Sequence, residues 1–413
     1  MSQEALDYHE FPRPGKIKIC ATKSMETQDD LSNAYTPGVA VPCLEIEKDP
    51  STAYRYTAKG NLVAVITNGT AVLGLGDIGA LASKPVMEGK GVLFKKFSDL
   101  DSFDIEVDTK DIDKFVETVT LIGETFGGIN LEDIKAPECF EIERRIIENL
   151  SIPVMHDDQH GTAVISAAGI INACEINQRG IDSLKIVIVG AGAAAISCAR
   201  LYKELGAKEI YMIDSKGVIH VGRDDLNVYK KEFACLDALT QDDVFKDANV
   251  VVGLSRPGTF TTDDIKKMAP KPVVFTLANP TPEVFPDKVA EVRPDAIIAT
   301  GRSDFANQVN NVLGFPFIFR GAMDVHASVI NTEMKLAASN ALAMLTRKEV
   351  PSYLNDIYQT TLSFGPEYII PKPFDKRLIV EVSSAVAEAA VKSGVARVDN
   401  FDLDAYKKSL LER

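Results

Sequence analysis

The segment LKIVIVGAGAAAISCARLYKELGAKEIYMIDSKG, residues 184–217, restricts the fold of this chain more than any other stretch. A buried strand over Lys185–Val189 meets glycines, an uninterrupted amphipathic helix follows over about residues 193–205, and a second strand ends at Asp214. That succession is a βαβ unit. Other strand-like runs, Leu62–Ile66 and Val273–Leu277, alternate with helical stretches, so the chain is predicted to form α/β layers.

Gly190-Ala191-Gly192-Ala193-Ala194-Ala195 fits the dinucleotide pattern GxGxxG/A. The first glycine allows a tight turn, the second lets the backbone approach a pyrophosphate, and Ala195 tolerates close helix packing. Free N–H groups at the helix start, aided by the helix dipole, would hold the negative charge. Gly74-Leu75-Gly76-Asp77-Ile78-Gly79 matches too, with Asp99 following, but Pro85 is expected to break a helix there, so residues 190–195 are preferred. Asp214 is placed to accept hydrogen bonds from ribose hydroxyls, which favours NAD. Lys216 is placed to pair with a 2′-phosphate, which favours NADP, and the motif leaves both open.

A chain of 413 residues, 46% hydrophobic, can fill two or three domains. Prolines at positions 12, 14, 37, 42, 50, 85, 137 and 153, with several short strands, set the first part apart, and a boundary is placed near residue 160. Residues 326–346 carry small and apolar residues at helical spacing, and the last ninety residues are expected to pack back on the first domain. The net charge of −14 lacks the basic footprint that nucleic acid or anionic lipid requires. No secretory signal opens the chain, and the longest apolar stretch, around residues 164–174, is far below the ~20 residues that cross a bilayer, so a cytoplasmic location is expected. Six cysteines show no CxxC pair or zinc spacing and are read as reduced, mostly buried thiols.

Glu132 and Asp133 adjoin in GGINLEDIKAPECFEIE, and neighbouring side chains diverge on a strand or a helix. Their convergence on one ion needs a bend, which a strand end followed by a new helix start at Pro137 supplies. Asp157 and Asp158, in PVMHDDQHGTA, end a strand just ahead of a helix, where open α/β sheets place their sites. Carboxylates without clustered Cys or His suit Mg²⁺ or Mn²⁺ better than zinc, and the flanking His156 and His160 are not taken as ligands. Lys90, in VMEGKGVLFKKF, precedes an expected apolar strand and becomes a base if neighbouring cations or burial lower its pKa toward neutrality. Tyr35 precedes a Pro-Gly turn in NAYTPGVA, Asn279 follows a strand in FTLANPTPE with its amide toward the cofactor cleft, and Asn310 and Asn311 in NQVNNVLGFPF are similar.

YTPGVA, NGTAVLGLGDIGA, VMEGKG, GGINLEDIKAPECFEIE, HDDQHGTA, GAGAAA, LANPTPE and NQVNNVLGFPFIFRGA occur together and in this order. From Phe11 to about residue 400 the chain resembles the malic enzyme family, most closely its short bacterial branch. The resemblance implies an N-terminal α/β catalytic domain at residues 1–160. A Rossmann-type doubly wound parallel sheet domain with C-terminal helices would follow at residues 161–413. It implies oxidative decarboxylation of L-malate to pyruvate and CO₂ with reduction of NADP, or NAD, and a need for Mg²⁺ or Mn²⁺. A malolactic or oxaloacetate-decarboxylating variant is the alternative. By matching motif, Tyr35 is implied as proton donor, Lys90 as proton acceptor and substrate contact, and Glu132, Asp133 and Asp158 as metal ligands. Asn279 and Asn311 would contact substrate, and Ala191–Ala194 would lie along the pyrophosphate. The DSKG string at residues 214–217 resembles NADP-linked members, and a homodimer is implied. Larger members place an arginine for a malate carboxylate where this chain has Ala71, so that carboxylate needs another anchor, such as the asparagines and backbone N–H groups.

Overall fold

The computed structural model describes residues 2–72 and 74–413. Its N-terminal arm carries short helices α1 (Ser2–Glu10), α2 (Gln28–Ala34), α3 (Ala40–Lys48) and α4 (Ala53–Tyr56). A capping box between Thr27 and Asp30 starts α2 by satisfying N–H groups that the helix itself cannot. Helices α2 to α4 bury no residue, and Leu31, Val41 and Leu44 face outward.

The first sheet contains β1 (Leu62–Thr67), β2 (Asp101–Glu106), β3 (Gly128–Leu131) and β4 (Val154–His156), all parallel in the order β2-β1-β3-β4. Every residue of β1 is buried, as expected of a parallel strand covered on both faces. The accompanying helices are α5 (Ala80–Ser98), α6 (Ile112–Gly123), α7 (Glu138–Asn149) and α8 (Asp157–Asn177).

Helix α5 corrects two expectations. Pro85 lies inside it rather than breaking it. The proline's missing N–H deprives only the carbonyl of Leu81, at a position 82% exposed, where water can replace the bond. VLFKKF is helix and not strand, because Ala80, Ser83, Met87, Gly91, Phe94 and Ser98 form a buried stripe at helical spacing.

The second sheet is built from β5 (Lys185–Val189), β6 (Glu209–Asp214), β7 (Gly217–Val218), β8 (Val250–Gly253), β9 (Val273–Thr276) and β10 (Ile297–Thr300). Its order is β10-β9-β8-β5-β6-β7, parallel throughout except β7, so the strand order reverses between β5 and β8. Ligands of open α/β sheets bind outside the strand ends at such a reversal. Helices α9 (Ala193–Glu204), α10 (Val228–Lys231), α11 (Gln241–Phe245), α12 (Thr262–Lys266) and α13 (Pro286–Val292) complete the layers. Alternate residues of β5 face opposite cores, Ile186 and Ile188 the large one and Val187 and Val189 a smaller one around Phe245 and Phe260. Truncating such a buried isoleucine to alanine costs about 2–5 kcal/mol.

Five helices close the chain: α14 (Phe315–Asp324), α15 (Thr332–Arg347), α16 (Ser352–Tyr358), α17 (Leu378–Lys392) and α18 (Leu403–Leu411). Phe315 and Phe319 of α14 meet Phe94 of α5 edge-on at 4.8 and 5.4 Å, so this region packs back on the first sheet's layer. The helix expected over 326–346 begins only at Thr332, because Asn331 caps it and His326 takes left-handed backbone at φ 48°. Cys139, Cys174 and Cys198 are buried, whereas Cys20 and Cys43 are exposed. No described helix is long and apolar enough to cross a membrane.

Candidate active site

Strands β3 and β4 are neighbours with Leu131 beside His156, so the residues that follow both strands emerge side by side. Asp133 adopts left-handed backbone at φ 52°, the bend that convergence of Glu132 and Asp133 requires. Its N–H donates to Asp158 Oδ2 at 2.7 Å. Among the described residues, Glu132, Asp133 and Asp158 bring carboxylate oxygens within 4.8 Å of one another. Asp158 sits in the first turn of α8, where the helix dipole favours an anion, and Asn130 Nδ2 orients Glu132 by donating to its Oε2 at 2.8 Å.

Burial pushes the Glu132 carboxyl well above its ordinary range, Lys90 pulls against that, and the Asp158, Asp157 and Asp133 carboxylates reinforce it. Crowded acids facing one ammonium leave a deficit of positive charge in a shielded site. An all-oxygen set of this kind fits a hard divalent cation such as Mg²⁺ or Mn²⁺.

Lys90 projects from the middle of α5 into this cluster. Its Nζ lies 2.8 Å from Asp157 Oδ2, 3.0 Å from Glu132 Oε1 and 4.3 Å from the ring centroid of Phe315. Burial pushes its pKa down, but Asp157, Glu132 and Asp158 outweigh burial and hold it above the ordinary lysine value. The expected shift toward neutrality is thus overturned, because its neighbours are anions rather than cations.

Asp157 is fully buried and its Oδ2 also accepts from Asn311 Nδ2 at 3.2 Å. The Asn311 carbonyl oxygen accepts from Thr162 Oγ1 at 3.1 Å, which fixes the direction of the amide. A Cβ at Gly161 would stand 2.2 Å from Asp157 Oδ1 and 2.8 Å from Asn311 Cγ, so only glycine lets these side chains meet. Asn310 instead accepts from the N–H of Val312 and caps a turn.

At the dinucleotide turn, Gly190 has φ 130°, and a Cβ there would meet the carbonyl oxygen of Leu254 at 2.5 Å. A Cβ at Gly192 would have no heavy atom within 4 Å, and no side chain caps the first N–H groups of α9. That cradle fits a pyrophosphate. Ala191, Ala193 and Ala194 line the same turn, and Asn279 stands beyond β9 with its side chain against Gly301. The rival glycine loop borders this region, since a Cβ at Gly74 would lie 3.1 Å from Pro280 Cδ.

Asp214 is not open to ribose hydroxyls as expected. It accepts from both terminal nitrogens of Arg223 at 2.9 Å, from Lys230 Nζ at 2.7 Å and from the N–H of Lys216 at 2.9 Å. Burial pushes this carboxyl up, but Arg223 and Lys230 outweigh it and hold the value at about 2. The exposed Lys216 ammonium pairs with Asp225 at 2.9 Å. Sequence reasoning missed Arg223 and Lys230, which reach Asp214 from the loop and short helix beyond β7 and fit no local motif.

Tyr35 is not brought to the cluster. It caps α2 on the arm, 68% exposed, and none of its contacts among the described residues reaches Lys90 or the carboxylates. Ala71 donates its N–H to the carbonyl of Asp133 at 2.9 Å, so the backbone beside the acids is held while its side chain brings no cation.

Two family models match the chain, one for the malic enzyme N-terminal domain over residues 14–147 and one for the malic enzyme NAD binding domain over residues 159–359. An NADP-dependent malic enzyme from Halomonas elongata is 57% identical over 399 residues, covering 96% of this chain and 94% of that protein. The chain belongs to the malic enzyme family. A further family member, the NADP-dependent malic enzyme of Escherichia coli, is 58% identical over 418 residues, covering 100% of this chain but 55% of that protein. This chain therefore spans about half the length of that curated relative. The crystal structure of malic enzyme from Pyrococcus horikoshii superposes with a TM-score of 0.91 at 39% identity, covering 100% of this chain and 95% of that one. Within the malic enzyme fold, Asp157 and Asp158 fall between the two matched regions, at the joint of the β3–β4 edge and the cofactor-binding part.

Proposed function

We propose that this chain oxidatively decarboxylates L-malate to pyruvate and CO₂ with NADP and Mg²⁺ or Mn²⁺. The observation that carries the reading is Lys90, held by Asp157 and Glu132 at the place where Glu132, Asp133 and Asp158 converge. Glu132, Asp133 and Asp158 would hold the cation, which would supply polarisation of the malate C2 oxygen, and the turn at Gly190–Ala194 would hold NADP, which would supply the hydride acceptor.

A divalent cation on Glu132, Asp133 and Asp158 would offset the carboxylate charge that holds Lys90 as an ammonium, so that Lys90 would reach its neutral form, take the C2 hydroxyl proton and leave an ammonium that Asp157 stabilises. Asn311, directed by Thr162, and Asn279 orient the substrate carboxylates through their amides. Loss of CO₂, with Lys90 returning its proton to the C2 oxygen, leaves an enol; Tyr35 is the donor of the proton at C3 in this reading, as Lys90 takes the hydroxyl proton back. Its exposure on an arm bearing outward Leu31, Val41 and Leu44 supports a homodimer in which one copy's arm completes the other's site.

The pairing of Asp214 with Arg223 and Lys230 favours NADP over NAD, since an unpaired carboxylate there would repel a 2′-phosphate. The NADP-dependent relatives agree with that choice. The reading divides the chain near residue 160, with catalytic residues 1–160 before cofactor-binding residues 161–413, supported by the separate sheets. Six free cysteines suit the reducing cytoplasm.

The test is absorbance at 340 nm with purified protein, L-malate, NADP and Mn²⁺. Reduction that stops on addition of EDTA and returns with excess Mn²⁺ is expected. No reduction with NADP or NAD would overturn the reading.

A further inference from the structure

We propose that Glu143, His160 and Lys335 form a positioning unit that fixes the first turn of α8 and thereby the placement of Asp157 and Asp158, a proposal that rests on the metal-site reading above. Glu143 lies on α7 at 7% exposure, outside the carboxylate cluster. Its Oε1 accepts from the N–H of His156 at 2.8 Å, and its Oε2 faces His160 Nε2 at 3.1 Å. His160 Nδ1 in turn faces Lys335 Nζ of α15 at 3.3 Å.

The contacts along this line assign donor and acceptor roles. An ammonium only donates, so His160 Nδ1 accepts, its proton sits on Nε2, and Nε2–H needs an acceptor. The Glu143 carboxylate supplies that acceptor and a second for His156. Burial pushes the Glu143 carboxyl up, but the hydrogen bond from His160 and the charge of Lys335 draw it down, so the anion persists.

The grip falls on His156 immediately before the two aspartates and on His160 two residues after them. The N-cap of α8 has no side-chain cap of its own, so Glu143 takes over that task from a neighbouring helix. His156 Nε2 also stands 3.5 Å from Asp158 Oδ2. Shielding a carboxylate and an ammonium from water exceeds what packing α7, α8 and α15 requires, whereas orienting a ligand-bearing turn calls for such rigidity.

The experiment compares wild type, Glu143→Gln and the double variant Glu143→Gln/Lys335→Met. It measures Mn²⁺ binding by the EPR signal of free Mn²⁺, NADPH binding by fluorescence, and Tm. A glutamine offers one acceptor oxygen where two N–H groups need one each. The expected result is Mn²⁺ affinity about 10- to 100-fold weaker in Glu143→Gln with NADPH affinity unchanged. The double variant, relieved of an uncompensated ammonium, regains Tm but keeps the weak Mn²⁺ site, and it carries the test if the single variant does not fold. Wild-type Mn²⁺ affinity in either variant overturns the proposal, because the unit would then serve charge balance alone. A wild-type chain that binds no Mn²⁺ overturns the metal-site reading beneath it, a separate outcome.

Discussion

Lys90 Nζ stands 2.8 Å from Asp157 Oδ2, joining the middle of α5 to the first turn of α8. Neither residue can shift alone, since Asp157 is also held by Asn311 and confined by Gly161. The acid thereby sets where the base points.

Replacing Lys90 by methionine is expected to lower kcat by about 10²- to 10⁴-fold, the usual worth of a positioned acid–base group. Asp157→Asn keeps the shape but removes the charge, and a smaller loss of kcat is expected with NADPH affinity unchanged. Steady-state kinetics with fluorescence titration checks both. An unaltered kcat in Lys90→Met would remove this lysine from the chemistry.

At the cofactor turn, Gly192→Leu should weaken NADPH binding at least about tenfold, or 1.4 kcal/mol, with little change in Tm. Its Cβ would enter open space and meet only the cofactor. Gly190→Ala should lower both affinity and Tm, because its methyl group would meet the carbonyl oxygen of Leu254 at 2.5 Å. Equal Tm losses in the two variants would contradict this division.

The βαβ unit was legible because its patterns are local: the predicted strand Lys185–Val189 matches β5, and the second strand ends at Asp214. Strand ends before Glu132 and Asp157 were equally readable, and so was the joint placement of the acids. Lys90 was misread because Val92–Phe94 is a strand-like run whose helical stripe appears only over nineteen residues of α5. Its charge environment depends on Asp157, 67 positions away, and no short-range pattern encodes that. Asp214 fitted the ribose rule locally, but Arg223 and Lys230 fold back onto it from nine and sixteen residues further on.

A pH effect should arise away from the site, at Glu106 on the edge strand β2. Burial and neighbouring Asp104 push its carboxyl up to about 7 against the pull of Lys84, and its Oε1 is buried without a hydrogen-bond partner among the described residues. The unfolded value is about 4.3, so the folded value is raised, and the stability from this group is full below pH ~4.3 and lost as pH rises to about 7. Glu106→Gln should therefore raise Tm at pH 8 and leave it nearly unchanged at pH 4.5. Differential scanning fluorimetry showing a constant offset across that range would contradict the assignment.

The exposed Tyr35 makes a subunit-mixing experiment decisive. Tyr35→Phe and Lys90→Met chains, each weak alone, should regain about a quarter of wild-type activity when unfolded together and refolded, because random pairing restores one site in half of the dimers. No recovery, with mixed dimers verified by mass spectrometry, would place Tyr35 and Lys90 of the same chain in one site.

The central claim is tested most directly by following L-malate labelled with ¹³C at the carboxyl carbon next to C3, with Mn²⁺ and NADP, by NMR. The account predicts that the label leaves as CO₂, with one unlabelled pyruvate and one NADPH for each malate consumed. Label retained in oxaloacetate, or lactate formed without net NADPH, would contradict it.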